Sequence, residues 1–84
     1  MRILGCTLIK TCKAFPEQYD VFYKGEQVGY IRLRHGYMSV EYPDVDGKLV
    51  YEKEFRYEKG EFDSTRERYS YLIRAVLAIK KELK

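Results

Sequence analysis

The chain has 84 residues, of which 45% are hydrophobic and 35% charged, and its formal net charge is +3 at pH 7. This length suits one small domain over residues 1–84, and the composition is too apolar for a disordered chain. No apolar run approaches the roughly 20 residues of a membrane span, and no N-terminal stretch resembles a signal peptide. We therefore expect a cytoplasmic protein without a membrane partner.

The first predicted strand covers Ile3–Lys10, which is β-rich and half apolar. We expect it to pair at a sheet edge or to swap with another copy of the chain. Residues 13–18 form a connection, because Pro16 has no N–H to donate to a strand ladder.

The second predicted strand, Tyr19–Lys24, turns at Gly25. A two-residue turn there would direct Phe22 to the core. A three-residue turn with Gly25 left-handed is favoured instead, because it buries more apolar area. Its buried set would be Tyr19, Val21 and Tyr23.

The stretch Val28–Tyr42 predicts a hairpin with a two-residue turn at His35-Gly36, where glycine supplies the positive φ of a tight turn. Because side chains alternate along a strand, this register sorts the hairpin into two faces. The apolar face carries Ile31, Leu33, Met38, Val40 and Tyr42. The opposite face carries Tyr30, Arg32, Arg34, Tyr37, Ser39 and Glu41.

A turn at Asp46-Gly47 leads into a further predicted strand, Leu49–Tyr57. This turn would pair Tyr42 with Tyr51 and Met38 with Phe55. It would also place Lys53 opposite Val40 on the apolar side, so that either Lys53 snorkels at a sheet margin or the strand has a bulge.

After a polar loop over residues 58–63, the segment Ser64–Lys84 predicts a helix that begins with the capping pattern S-x-x-E. Its apolar stripe is widened by Ile73 and Leu77, and its lysine-rich end should project beyond the sheet. The stripe itself comprises Tyr69, Leu72, Val76, Ile79 and Leu83. The predicted fold is α+β, an antiparallel meander of three or four strands with the C-terminal helix packed on one face and the other face open.

The open sheet face is the preferred candidate site, and its residues are Tyr30, Arg32, Arg34 and Tyr37. Rings beside cations can stack bases and hold phosphates. In the predicted register, however, Glu41 and Glu52 flank Tyr30, and Glu54 lies two strands from Arg32. These carboxylates would repel phosphate and neutralise the arginines. A solvated, ion-paired face, a protein-binding face and a nucleic-acid-binding face remain open, in that order.

The basic helix is a second candidate for nucleic-acid binding, but its cations do not form one stripe at helical spacing. These cations are Arg66, Arg68, Arg74, Lys80, Lys81 and Lys84. Overall charge adds little, because residues 1–40, 41–63 and 64–84 carry +3, −4 and +4. The complementary signs of the last two blocks leave a symmetric dimer and a monomer equally open.

Catalytic and metal-binding motifs are absent from the sequence. His35 is a single histidine in a turn, where we expect it to be exposed, and no nucleophile motif joins it to Cys6 or Cys12. On one straight strand the two cysteines would lie about 20 Å apart, too far for a disulfide. We expect no cofactor, no metal site and no enzymatic activity.

The acidic run Glu41–Asp63 gives one further interpretation, because an acidic hairpin can imitate a phosphate backbone. In size and in its lack of catalytic equipment the chain resembles small phage and mobile-element inhibitors of host defence. That resemblance implies a regulatory role through protein binding. The predicted function is therefore a non-catalytic module that binds protein, and the alternative is nucleic-acid binding through the open sheet face or the basic helix.

Overall fold

The computed structural model describes residues 1–84 and shows an α+β fold, as predicted. Six antiparallel strands form a meander in sequence order, and one C-terminal helix packs on one face of the sheet. The prediction of three or four strands was therefore too low. The elements are β1 (Arg2–Ile3), β2 (Cys6–Lys10), β3 (Glu17–Tyr23), β4 (Glu26–Arg34), β5 (Tyr37–Tyr42), β6 (Lys48–Glu54) and α1 (Thr65–Glu82).

The predicted first strand is divided by a tight turn. Leu4 and Gly5 both have positive φ, at 50° and 84°, so that Ile3 pairs with Cys6 across the turn. One continuous strand over Ile3–Lys10 was wrong, because Gly5 takes up the left-handed conformation that a two-residue hairpin needs. Cys6 is consequently buried, and neither Cys6 nor Cys12 is in a disulfide.

The β4–β5 hairpin has the predicted register in all five of its pairs, from Tyr30–Glu41 to Arg34–Tyr37. Arg34 pairs with Tyr37 and Ile31 with Val40. The turn residues His35 and Gly36 have φ angles of 52° and 72°. The core side of this hairpin is fully buried at Ile31, Leu33, Met38 and Val40.

The β3–β4 connection buries the predicted side chains by a different route. Tyr23 pairs with Glu26, so that Lys24-Gly25 is a two-residue turn and the three-residue turn was wrong. The extra residue lies in a bulge instead, because the pairing shifts between Val21 and Phe22. A two-residue turn without a bulge would direct Phe22 to the core. The bulge adds one residue, so that Val21 and Tyr19 face the core instead. The inward side chains are Tyr19, Val21 and, partly buried, Tyr23.

The β5–β6 register differs from the prediction by two residues at Met38 and by three at Tyr42. Tyr42 pairs with Lys48 rather than with Tyr51, and Met38 pairs with Lys53 rather than with Phe55. Residues 43–47 form a longer turn, and a second bulge follows, because the pairing shifts between Val40 and Glu41. Lys53 remains exposed on the helix side of the sheet, with Nζ 5.9 Å from the centre of the Phe55 ring.

β6 ends at Glu54, three residues before the predicted end at Tyr57. The Phe55 N–H donates to Gly36 O, and the chain then passes over the β4–β5 turn. Phe62 is buried, although it belongs to the segment predicted as a polar loop. Its ring and that of Tyr71 make edge contacts with Phe55.

Helix α1 begins at the predicted cap, because Ser64 Oγ accepts a hydrogen bond from Glu67 N at 3.0 Å. Its buried face is Leu72, Ala75, Val76 and Ile79. Tyr69, Ile73 and Leu77 are exposed, so the predicted stripe was too wide. The last turn does not project freely, since Lys80 Nζ donates to Leu4 O and Glu82 pairs with Lys48. The helix lacks the run of apolar residues that crossing a bilayer would require.

Candidate functional site

The open sheet face contains all four predicted site residues. Tyr30, Arg32 and Arg34 alternate along β4, and Tyr37 pairs with Arg34 at the start of β5. The inward neighbours Ile31 and Leu33 are buried beneath the helix, which fixes the direction of the outward side chains. Tyr30, Arg32 and Tyr37 are half-buried by their neighbours, and Arg34 is exposed.

Hydrogen bonds hold both tyrosine rings of this face. The Tyr30 hydroxyl donates to Gln18 Oε1 at 3.2 Å, and burial raises the pKa of Tyr30. The Tyr37 hydroxyl donates to Glu52 Oε1 at 2.7 Å, and this hydrogen bond raises the pKa of Tyr37. Both phenols therefore remain protonated at neutral pH, and each ring has a fixed orientation.

The two arginines of the open face have no ion pair within the chain. No carboxylate oxygen lies within 4.0 Å of Arg32 or Arg34. Arg32 stands between Gln18 and Ser39 on the adjacent strands, both of which are uncharged. The predicted neutralisation of these arginines by cross-strand carboxylates was wrong.

The carboxylates of the face occupy other positions because of the β5–β6 register. Glu41 lies opposite Tyr30 as predicted, but Glu52 lies opposite Ser39 and Glu54 lies opposite Tyr37. Glu52 holds the hydroxyl of Tyr37. The predicted cross-strand partners of Glu52 and Glu54 were therefore wrong.

The electrostatic balance of the open face is mixed. Arg2, opposite Thr7 on the β1–β2 edge, also belongs to this face. Four carboxylates share the face with Arg2, Arg32 and Arg34, namely Asp20, Glu41, Glu52 and Glu54. Across the sheet, Tyr30 is flanked by Asp20 and Glu41. The next residues in this row are two half-exposed aliphatic side chains, Ile9 on β2 and Leu49 on β6. The face thus offers arginines and tyrosines, the residue types enriched at protein interfaces, together with carboxylates and apolar contacts.

A surface depression of about 300 Å³ adjoins Arg34 at the edge of this face. It is lined by Phe15, Pro16, His35 and Gly60. His35 is exposed, as predicted. Phe15 is the most exposed large hydrophobic residue of the chain, at 62%, and it was not among the predicted site residues. Its position before a proline in a connection was the available signal.

Three of the six helix cations are engaged within the chain. Arg68 forms a salt bridge with the buried Glu17, at 2.7 Å between Nε and Oε2. The Arg74 guanidinium lies over the ring of Tyr71, with 4.7 Å to the ring centre. Lys80 Nζ donates a hydrogen bond to Leu4 O. The predicted basic helix therefore presents fewer free cations than the sequence indicated. The remaining cations are Arg66, Lys81 and Lys84.

The cysteines and acidic residues form no further cluster. No group of three or more His, Cys, Asp or Glu side chains is placed to hold a metal ion. Cys6 is buried, and burial raises the pKa of its thiol, which disfavours the thiolate. Cys12 is half-buried, with its Sγ donating to Phe15 O at 3.4 Å.

Comparison with known proteins gives no assignment: no family model matches the chain, and no curated protein or solved structure is significantly similar to it.

Proposed function

We propose that this domain is a non-catalytic binding module that docks a protein partner on its open sheet face. Tyr30 and Tyr37 would supply the contact area, and Arg32 and Arg34 would meet carboxylates of the partner. The observation that carries the proposal is the unpaired state of these two arginines on a face that holds four carboxylates. Phage or mobile-element inhibitors would be one biological setting for such a module.

Arginine and tyrosine suit this role for physical reasons. Both residue types are enriched among the residues that dominate the energy of protein interfaces. The guanidinium group can form two parallel hydrogen bonds with one carboxylate, which gives direction as well as energy. Because Gln18 and Glu52 already hold the two phenols, their rings lose little conformational freedom on binding.

Nucleic-acid binding receives less support from the same groups. Four carboxylates lie beside Arg32 and Arg34 on β3, β5 and β6, and a phosphate chain laid across these strands would meet them. Anisotropy titrations with labelled single- and double-stranded DNA and RNA at about 50 and 200 mM salt test this alternative. Micromolar binding that collapses with salt would replace the protein-binding proposal.

The direct test begins with a photoreactive residue at Tyr30, which captures the partner covalently for identification by mass spectrometry. The purified partner is then titrated with the wild type and with the double variant Tyr30→Ala, Arg32→Glu. We expect at least a tenfold loss of affinity with an unchanged circular dichroism spectrum. The matched control is Lys53→Glu, a cation-to-anion change on the opposite face of the sheet.

Equal affinities for the wild type and the double variant would exclude the open face as the docking site. An equal loss in the Lys53→Glu control would show that net charge, rather than this face, determines binding.

A further inference from the structure

An exposed apolar stripe runs along one flank of α1. Tyr69, Ile73 and Leu77 follow one another at intervals of four residues and are 44%, 40% and 50% exposed. Residues at this spacing lie above one another on a helix, so the three side chains form a continuous strip. The strip adjoins the buried face of the helix without being covered by the sheet. Single exposed apolar residues are common, but an aligned set indicates a binding surface.

The stripe borders a groove between the helix and the first two strands. Tyr69 lines a depression of about 530 Å³ together with Met1, Leu8 and Lys10. Further along the helix, Lys80 Nζ donates to Leu4 O, which places the same flank beside the β1–β2 turn. We call this surface, from the depression to Leu77, the flank groove.

The charged residues around the flank groove are all basic. Arg66, Lys80 and Lys81 are the charged helical neighbours of the stripe on this side, since Arg74 turns toward Tyr71 on the β6 side. Lys10 lines the depression together with Arg68, whose charge is paired with the buried Glu17. Arg66 and Lys81 take part in no salt bridge. The acidic residues Glu67 and Glu82 bond instead to Tyr57 and Lys48, away from the groove.

We propose that the flank groove binds an acidic amphipathic segment of a partner protein. Apolar side chains at helical spacing would lie against the stripe, and carboxylates on either side would meet Arg66, Lys81 and Lys10. This is the helix-in-groove mode of recognition, with charge complementarity selecting the partner. The surface is separate from the open sheet face, so the domain would connect two proteins.

A second copy of the chain fits this groove less well than an acidic segment. If two stripes packed antiparallel about Ile73, Arg66 of one copy would oppose Lys80 of the other. Like charges placed against each other at an interface oppose association. The flank groove therefore complements an acidic surface, and not itself.

A lipid surface also fits less well. Amphipathic helices that enter a membrane present their apolar residues at the outermost position. The outermost positions of α1, opposite its buried face, are occupied by Ser70, Arg74 and Lys81, with Leu77 as the one apolar residue beside them. Tyr69 and Ile73, the rest of the stripe, lie to the side.

Selection from a random library of 16-residue peptides displayed on phage tests the proposal. We expect the enriched peptides to combine several Asp or Glu residues with apolar residues at intervals of three or four. A synthetic peptide from the enriched set should bind Leu77→Glu and Arg66→Glu at least tenfold more weakly than the wild type. Arg32→Glu on the open sheet face is the matched control and should bind normally.

Several outcomes would overturn the proposal. These are failure to enrich any peptide, enrichment without an acidic bias, and binding that survives Leu77→Glu. A dimer in sedimentation equilibrium that Leu77→Glu dissociates would assign the groove to a second copy. If the protein binds no peptide but floats with phosphatidylserine vesicles, and Leu77→Glu abolishes that flotation, the flank groove would be assigned to a membrane.

Discussion

Arg68 on the helix side of the sheet is ion-paired, whereas the arginines on the open side are not. On the helix side, Arg68 pairs with Glu17, which is 1% exposed and also accepts hydrogen bonds from the Tyr19 hydroxyl and Phe62 N. On the open side, Arg32 has no carboxylate partner. The first charge holds a strand, the helix and the preceding loop together. The second charge forms no ion pair within the chain, and that difference makes the open side the candidate for function.

The largest expected effect is on the helix side, for Glu17→Ala. The variant leaves Arg68 and the Phe62 N–H without their partner, and breaking a buried pair from one side costs about 3 kcal/mol or more. Chemical denaturation measures the loss. Glu52→Ala is the matched control, because Glu52 also accepts a tyrosine hydroxyl but is exposed, and it should cost less than about 0.5 kcal/mol. An equal loss of unfolding free energy in the two variants would show that the buried Glu17 is no more important to the fold than the exposed Glu52.

The next largest effect concerns two glycines in equivalent turn positions. Gly25 and Gly36 each end a two-residue hairpin turn, with φ of 83° and 72°. An added Cβ at Gly36 would lie 1.8 Å from the backbone oxygen of Tyr57, whereas one at Gly25 meets nothing within 4 Å. Gly25→Ala should therefore cost only the strain of positive φ, about 1–2 kcal/mol.

Gly36→Ala adds a backbone clash to the same strain and should cost at least about 1 kcal/mol more than Gly25→Ala. Thermal unfolding of both variants measures this difference directly. Equal melting temperatures would mean that the segment after β6 does not cover the β4–β5 turn as described.

A smaller effect is the pH dependence of the Glu17 pair. Burial alone would raise the pKa of Glu17, but hydrogen bonds from Arg68, Tyr19 and Phe62 N outweigh it and lower that pKa below its ordinary value. A carboxyl with a lowered pKa in the folded state stabilises the fold above its unfolded pKa, about 4.3, and this contribution is lost as pH falls through the folded pKa.

The stability difference between the wild type and Glu17→Gln should therefore be constant near pH 7 and should shrink below about pH 4.3. Urea denaturation of both proteins from neutral to acidic pH measures it. A difference that stays constant down to the acid limit would show that Glu17 titrates alike in both states.

Local signals explain which parts of the fold the sequence predicted. The β4–β5 hairpin was predicted completely, because the glycine turn and the alternation on both strands agree. The α1 cap was predicted because Ser64 and Glu67 lie three residues apart. The β5–β6 register failed because a bulge gives no distinct signal in an alternating strand. That error also misplaced Glu52 and Glu54 beside the candidate site.

Long-range partners explain the remaining differences. Glu17 and Arg68 are 51 residues apart, so neither the buried pair nor the loss of Arg68 from the basic helix could be read from local pattern. Phe62 was missed for the same reason, since its burial depends on β3 and α1 together. The four residues of the open face were identified by alternation alone, but the lack of an ion pair at Arg32 and Arg34 depends on the β6 register.

The smallest expected effect is on the open side, for Arg32→Glu and Arg34→Glu. Neither arginine has an ion pair to lose, and both point away from the core, so each variant should change the free energy of unfolding by less than about 0.5 kcal/mol. Arg68→Glu provides the contrast, because it places a carboxylate against Glu17 and should unfold the protein far more readily. Denaturation curves of the three variants measure the comparison. If Arg32→Glu destabilised the fold as strongly as Arg68→Glu, the open-face arginines would be structural, and the case for a docking face built on their unpaired charge would fail.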